Sequence, residues 1–133
     1  MSTENERVSK IYSDRLDPVI VDDFAKLLGS RRTGYVPPTF LTRGREGEFE
    51  LLNQLGIALS SVLHGEQTYE IFTPPTIGGE IRYQTRLKSR FEKRGSQSVM
   101  IFLVFETEFS ADSGAGVTKV ATSLTTMIVR SKP

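Results

Sequence analysis

From Glu80 to Glu92 the side chains alternate without a break. Ile81, Tyr83, Thr85, Leu87, Ser89 and Phe91 point one way, and Arg82, Gln84, Arg86, Lys88 and Arg90 point the other. A period of two over so many residues is the signature of a strand with one buried face and one wet face, and no helix can satisfy it. Lys93-Arg-Gly-Ser follows as a hairpin turn centred on Gly95. Ser98 to Ser110 then reads as a second strand, apolar at first and afterwards alternating Phe105, Thr107 and Phe109 with Glu106 and Glu108. After the turn Asp112-Ser-Gly-Ala-Gly116, Val117 to Arg130 forms a third, with Val120, Thr122, Leu124, Thr126 and Ile128 assigned to one face. A shorter alternating run, Gln67 to Phe72, precedes them and is broken by Thr73-Pro-Pro-Thr-Ile-Gly-Gly79. Long strands joined by hairpins make an antiparallel meander, and a meander with one apolar face must be covered.

The cover has to come from the first half. Asp17 can cap a helix that opens with Pro18, carries Val19, Ile20, Phe24, Leu27 and Leu28 at helical spacing, and stops at Gly29. Ser30 to Phe40 is a loop shaped by Gly34, Pro37 and Pro38, and Leu41 to Gly47, with two more glycines among charges, is expected to be mobile. From Glu48 the helical pattern returns. Leu51, Leu52, Leu55, Ala58, Leu59 and Val62 form one stripe, so a long central helix is expected to run to His64-Gly65. Gly56 inside it is read as a point where other backbone approaches closely. The order of elements gives an α+β fold, with residues 1–17 a flexible N-terminal segment and 18–133 a single domain.

Composition narrows the function. In 133 residues there are 17 Lys and Arg, 16 Asp and Glu, one His and no Cys. A net charge of +1 argues against a nucleic-acid binder, as does the lack of aromatics among the strand cations. Without cysteine there is no disulfide, thiolate catalysis or Cys-ligated metal, and one histidine excludes a His-pair metal site. The N-terminus is acidic where a signal peptide is basic, and the longest apolar run, Val99 to Phe105, is far shorter than the roughly 20 residues of a membrane span. A cytoplasmic protein without a membrane partner is expected.

Three loop motifs stand in order: Val36-Pro-Pro-Thr-Phe40 before the central helix, Leu63-His-Gly-Glu-Gln67 at the first sheet strand, and Pro74-Pro-Thr-Ile-Gly-Gly-Glu80 leading into the long strand. Together they resemble the N-terminal dehydratase domain of the MaoC-like family over about residues 18–130. The resemblance implies a single hot-dog fold: a long central helix wrapped by a curved antiparallel sheet, preceded by a short helix. That family includes the non-catalytic halves of double hot-dog hydratases and the substrate-holding subunits of dehydratase heterodimers. The catalytic halves carry an Asn-Pro-x-His-x-Asp type motif at the start of the central helix. The equivalent stretch here, Ser30 to Phe40, has no Asp, Glu, His or Asn, and Gly79-Glu80 stands where relatives have Gly-Asp.

The resemblance therefore implies a hydro-lyase family member that acts as the acyl-thioester-binding subunit of a 2-enoyl-CoA or 2-enoyl-ACP hydratase. It would lack its own Asp/His pair, and coenzyme A or an acyl carrier would enter only as part of the substrate. It would form a homodimer or a heterodimer with a catalytic hot-dog subunit. A binding homodimer without chemistry and a hot-dog acyl-CoA thioesterase are the alternatives. Among individual residues, His64 with Glu66 two positions on is the one conceivable base and orienting acid, against the plainer reading of a junction histidine. Glu46, Glu48 and Glu50 could serve a thioesterase, but three acids near glycines read more simply as a wet, mobile helix edge. Phe40, Leu55, Leu59 and Phe72 are the candidates for an acyl wall, and Arg82 and Arg86 for a coenzyme A or carrier phosphate.

Overall fold

The computed structural model describes residues 7–27, 38–73, 78–112 and 116–131. Five strands, β1 (Tyr12–Arg15), β2 (Val62–Ile71), β3 (Glu80–Arg94), β4 (Val99–Asp112) and β5 (Val117–Ser131), form one antiparallel sheet in the order β1-β3-β4-β5-β2. Two helices, α1 (Pro18–Leu27) and α2 (Glu46–Gln54), accompany it, with 3-10 turns at Pro38–Arg43 and Leu59–Ser61. No helix among the described residues is long and apolar enough to cross a membrane.

The hairpin between β3 and β4 falls where the turn chemistry puts it, Gly95 N–H donating to the Ser98 carbonyl at 2.9 Å, while residues 113–115 of the next expected turn lie outside the described residues. Asp17 caps α1 as expected, its Oδ1 accepting from the N–H of Val19 at 2.9 Å. The expected stop at Gly29 and the loop from Ser30 to Pro37 lie outside the described residues.

Of the N-terminal segment expected to be flexible, residues 8–15 join the sheet instead: Tyr12 stands opposite Tyr83, and Ser9, buried, donates its N–H to the Thr85 carbonyl at 2.8 Å. The central helix is present but short. It ends at Gln54 because Gly56 takes φ +72, a left-handed conformation that only glycine enters cheaply, and not because backbone approaches it. Leu59 and Val62 therefore leave the helix, and His64-Gly65 lies inside β2. Leu41 to Gly47 is not loose either: Leu41, Gly44 and Gly47 are all buried.

Three β-bulges reset which side chains face inward, and period-two reading cannot foresee them. The one between Leu87 and Ser89 turns Phe91 to the outer face, stacked on Phe102 at 4.8 Å, while Ile81, Tyr83, Thr85 and Leu87 stay inside. The one beside Val120 puts both Val120 and Ala121 in the core, so the buried row continues as Ser123, Thr125 and Met127, out of phase with the expected Thr122 series. The third, at Gly65, matters for the site.

The inner face carries two apolar clusters. Leu16, Val21, Leu41, Ile81, Tyr83, Phe109, Val120 and Ala121 pack together under α1. Leu51 and Leu52 of α2 pack on Leu87, Leu103, Phe105 and Met127. Each such side chain contributes roughly 1.5–3 kcal/mol by leaving water. Between the clusters runs a buried polar belt, Thr85, Thr107, Ser123 and Thr125, and the first turn of α2 sits on it.

Candidate functional site

The helix Glu46-Gly-Glu-Phe-Glu-Leu-Leu-Asn-Gln54 brings three carboxylates to the sheet, and each accepts a hydrogen bond from a sheet hydroxyl. Tyr83 Oη donates to Glu46, and Tyr12 Oη donates to Glu50 at 2.8 Å. Thr125 Oγ1 donates to Oε2 of Glu48 at 2.9 Å. Glu48 is 1% exposed, and its other oxygen takes the Arg45 guanidinium, with Nε and Nη2 each at 3.1 Å. The expected wet, mobile edge is thus an inward-facing junction. An ionised carboxylate is tolerated there because both of its oxygens have donors and one of the donors is a cation. Gly47 lets the helix come this close: a Cβ on it would lie 2.4 Å from Thr85 Oγ1.

The network continues to the sheet edge. Gln67 Nε2 donates to Thr125 Oγ1 at 3.3 Å and to Tyr69 Oη at 2.8 Å. Burial, then the charge of Glu48, pushes the Tyr69 phenol up to about 12 against the opposing pull of Arg45. Tyr12 is likewise pushed up to about 12, by desolvation and by Glu50, and Tyr83 is raised further by desolvation and Glu46. With folded-state values above the ordinary 10, the native chain keeps protons that the unfolded chain releases. The stabilisation is complete below pH 10 and is lost as pH rises from 10 towards 12. Tyrosinate absorbance should accordingly rise cooperatively with loss of circular dichroism above pH 10. Ionisation of all four tyrosines near pH 10 in a chain that stays folded would contradict this.

His64 and Glu66 do not form a couple. The Gly65 bulge places His64 opposite Met127, on the inner side, and Glu66 opposite Thr126, on the outer side; both are exposed. Their expected shared face requires an unbroken strand. The four acyl-wall candidates are also dispersed. Leu55 packs against the second core cluster. Leu59 borders a groove of about 210 Å³ with Phe49, Leu52 and Ile57. Phe72, under Lys119 Nζ at 4.7 Å, lies at the other end of β2, roughly 30 Å away by strand rise. Phe40 belongs to the first 3-10 turn, and its side chain is outside the described residues.

Arg86 is held by Glu106, Nη2 to Oε1 at 2.6 Å, with Lys88 Nζ at 3.5 Å from the other oxygen. Burial alone would raise the Glu106 carboxyl, but these two cations hold it below its usual range. Arg82 pairs with Glu80 at 3.3 Å and borders, with Gln84, Glu108, Ser110 and Lys119, a cleft of about 460 Å³ on the outer face, away from α2. Among the described residues no cluster of three or more His, Asp or Glu is placed to hold a metal.

Sequence reasoning missed Arg45, Gln67, Tyr69 and Thr125. The usable signal was the coincidence of a Glu-rich helix start with hydroxyl residues at inward strand positions, because buried acceptors need donors.

Residues 13–120 match the family described as FAS1-like, dehydratase domain region. The chain belongs to this MaoC-like dehydratase family. No curated protein is similar enough to count as a match. Of the solved structures, a chain of the C-terminally truncated HadBC (3R-hydroxyacyl-ACP dehydratase) complex of Mycobacterium tuberculosis superposes with a TM-score of 0.71. The match covers 96% of this chain and 98% of that one at 14% identity. The ChsH1-ChsH2 complex of the same organism gives 0.67 over 95% and 89%, at 11% identity. HtdX, also from Mycobacterium tuberculosis, gives 0.68 over 90% of this chain and 50% of its own, at 18% identity. At these identities the likeness establishes the hot-dog fold, with α2 as the short central helix of the MaoC-like domain.

Proposed function

We propose that this MaoC-like domain is the acyl-thioester-binding subunit of a 2-enoyl thioester hydratase, the reaction being reversible addition of water to give a 3-hydroxyacyl thioester. A partner hot-dog subunit would supply the acid and imidazole. One observation carries the reading: the chain's sole imidazole, His64, is exposed on edge strand β2 and faces away from Glu66, while the carboxylates of α2 are all engaged by sheet hydroxyls. General acid–base chemistry needs a proton carrier oriented by a partner, and this pair does not provide one.

The place for a partner is the outer edge of β2, ten residues long and without a strand beside it among the described residues. Such an edge offers a row of backbone donors and acceptors to another chain. Two of the similar structures, HadBC and ChsH1-ChsH2, are themselves complexes, which supports a two-subunit arrangement.

Calorimetric titration with crotonyl-CoA tests the binding role. Saturable binding without release of free thiol is the expected result. Release of coenzyme A, abolished by Glu48→Ala or Glu50→Ala, would replace this reading with the thioesterase one.

A further inference from the structure

The hydrogen bonds around Glu48 have a fixed direction. The hydroxyl of Thr125 has one proton, and it goes to Glu48. Thr125 can therefore only accept from Gln67, which fixes the Gln67 amide with its nitrogen towards Thr125. The same nitrogen then gives its second proton to Tyr69, so the Tyr69 oxygen is an acceptor within the network. The chain of donors thus leaves one proton unspent, that of the Tyr69 phenol, for which no acceptor occurs among the described residues. Tyr69 stands at the end of the network, half-buried on a strand that has no strand on its other side among the described residues.

We propose that the Tyr69 hydroxyl is a preset hydrogen-bond donor to the carbonyl oxygen of a bound thioester, which makes β2 the wall that reads the acyl headgroup. This rests on the acyl-thioester-binding role proposed above. A neutral carbonyl suits the position better than a carboxylate or phosphate, because burial first and the Glu48 charge second both disfavour an anion beside the phenol. Gln67 acts as a positioning residue: it holds the phenol oxygen and leaves the proton outward.

The test uses crotonyl-CoA labelled with ¹³C at the thioester carbonyl, followed by difference infrared spectroscopy and calorimetry on the full chain. With the unaltered protein the carbonyl stretch should move to lower wavenumber on binding. In Tyr69→Phe most of that displacement should vanish and affinity should fall about five- to tenfold, the effect of one net hydrogen bond. Gln67→Ala keeps the phenol but frees it, and should weaken binding about threefold with a broadened carbonyl band; it carries the test if Tyr69→Phe does not fold. An equal displacement and affinity in Tyr69→Phe or, failing that variant, in Gln67→Ala, overturns the Tyr69 assignment while leaving the binding role intact. No thioester binding by the unaltered chain overturns both.

Discussion

Glu48→Ala is expected to cost about 3 kcal/mol, a melting temperature lower by roughly 10 °C in a domain of this size. The substitution leaves the Thr125 hydroxyl without its acceptor in a fully buried belt and strips Arg45 of its counter-charge. Arg45 is partly exposed and can turn to water, which keeps the cost below that of a wholly buried pair. Glu48→Gln, which can still accept from Thr125, should lose about half as much. Glu66→Ala, on the exposed outer side of β2, should stay within about 0.5 kcal/mol of the parent. Thermal unfolding of the three variants checks the series, and a Glu48→Ala protein as stable as Glu66→Ala would mean that the carboxylate does not hold helix to sheet.

Gly47→Ala should be about as damaging for the opposite reason. The new methyl would meet Thr85 Oγ1 at 2.4 Å and Thr85 Cβ at 2.7 Å. Thr85 cannot retreat, being β-branched on β3, which is paired on both sides by β1 and β4, and hydrogen-bonded to Thr107 at 2.7 Å. The helix has to lift off the belt, at about 2–3 kcal/mol, and loosening the Glu48 contacts adds to the loss. Gly47→Val should not fold. Thr85→Ala in the Gly47→Ala background should restore part of the stability, because it removes the nearer of the two clashing atoms. No recovery in the double variant would place the damage elsewhere than this contact. By contrast, Gly56 has open space around its Cβ position and serves through its backbone angle alone.

These two residues show what the sequence could and could not disclose. The long strands, the hairpin at Gly95, the Asp17 cap and the hot-dog family were legible because each is a local signal repeated over many residues or fixed by one turn. The bulges at Gly65, Lys88 and Val120 were not, because one extra residue leaves composition unchanged yet reverses every face beyond it. That is why His64 and Glu66 looked like neighbours. The central helix was overextended because Leu59 and Val62 continue the apolar stripe by chance, whereas a single left-handed glycine decides where the helix ends. The acids at 46, 48 and 50 looked solvated because helical charge is usually so. Their docking on the sheet, and the burial of Glu48, depend on hydroxyls that arrive from 37, 77 and 38 residues away in sequence.

The dispersed acyl candidates carry a related lesson. Phe40, Leu55, Leu59 and Phe72 are apolar residues that the resemblance assigns to elements flanking a hot-dog slot. Yet Leu59 and Phe72 flank opposite ends of β2, and Leu55 packs against the second core cluster. The groove beside Leu59 is built by α2 and the residues just after it, and the Tyr69 network exists only once β2 has its register.

The most direct measurement is the rate at which crotonyl-CoA is hydrated by this chain alone and after mixing with a hot-dog subunit that carries the Asn-Pro-x-His-x-Asp type motif. The account predicts thioester binding without measurable turnover by the isolated chain, and hydration by the mixed assembly at a rate above that of the partner by itself. Brisk hydration by the isolated chain, abolished by His64→Ala, would contradict it.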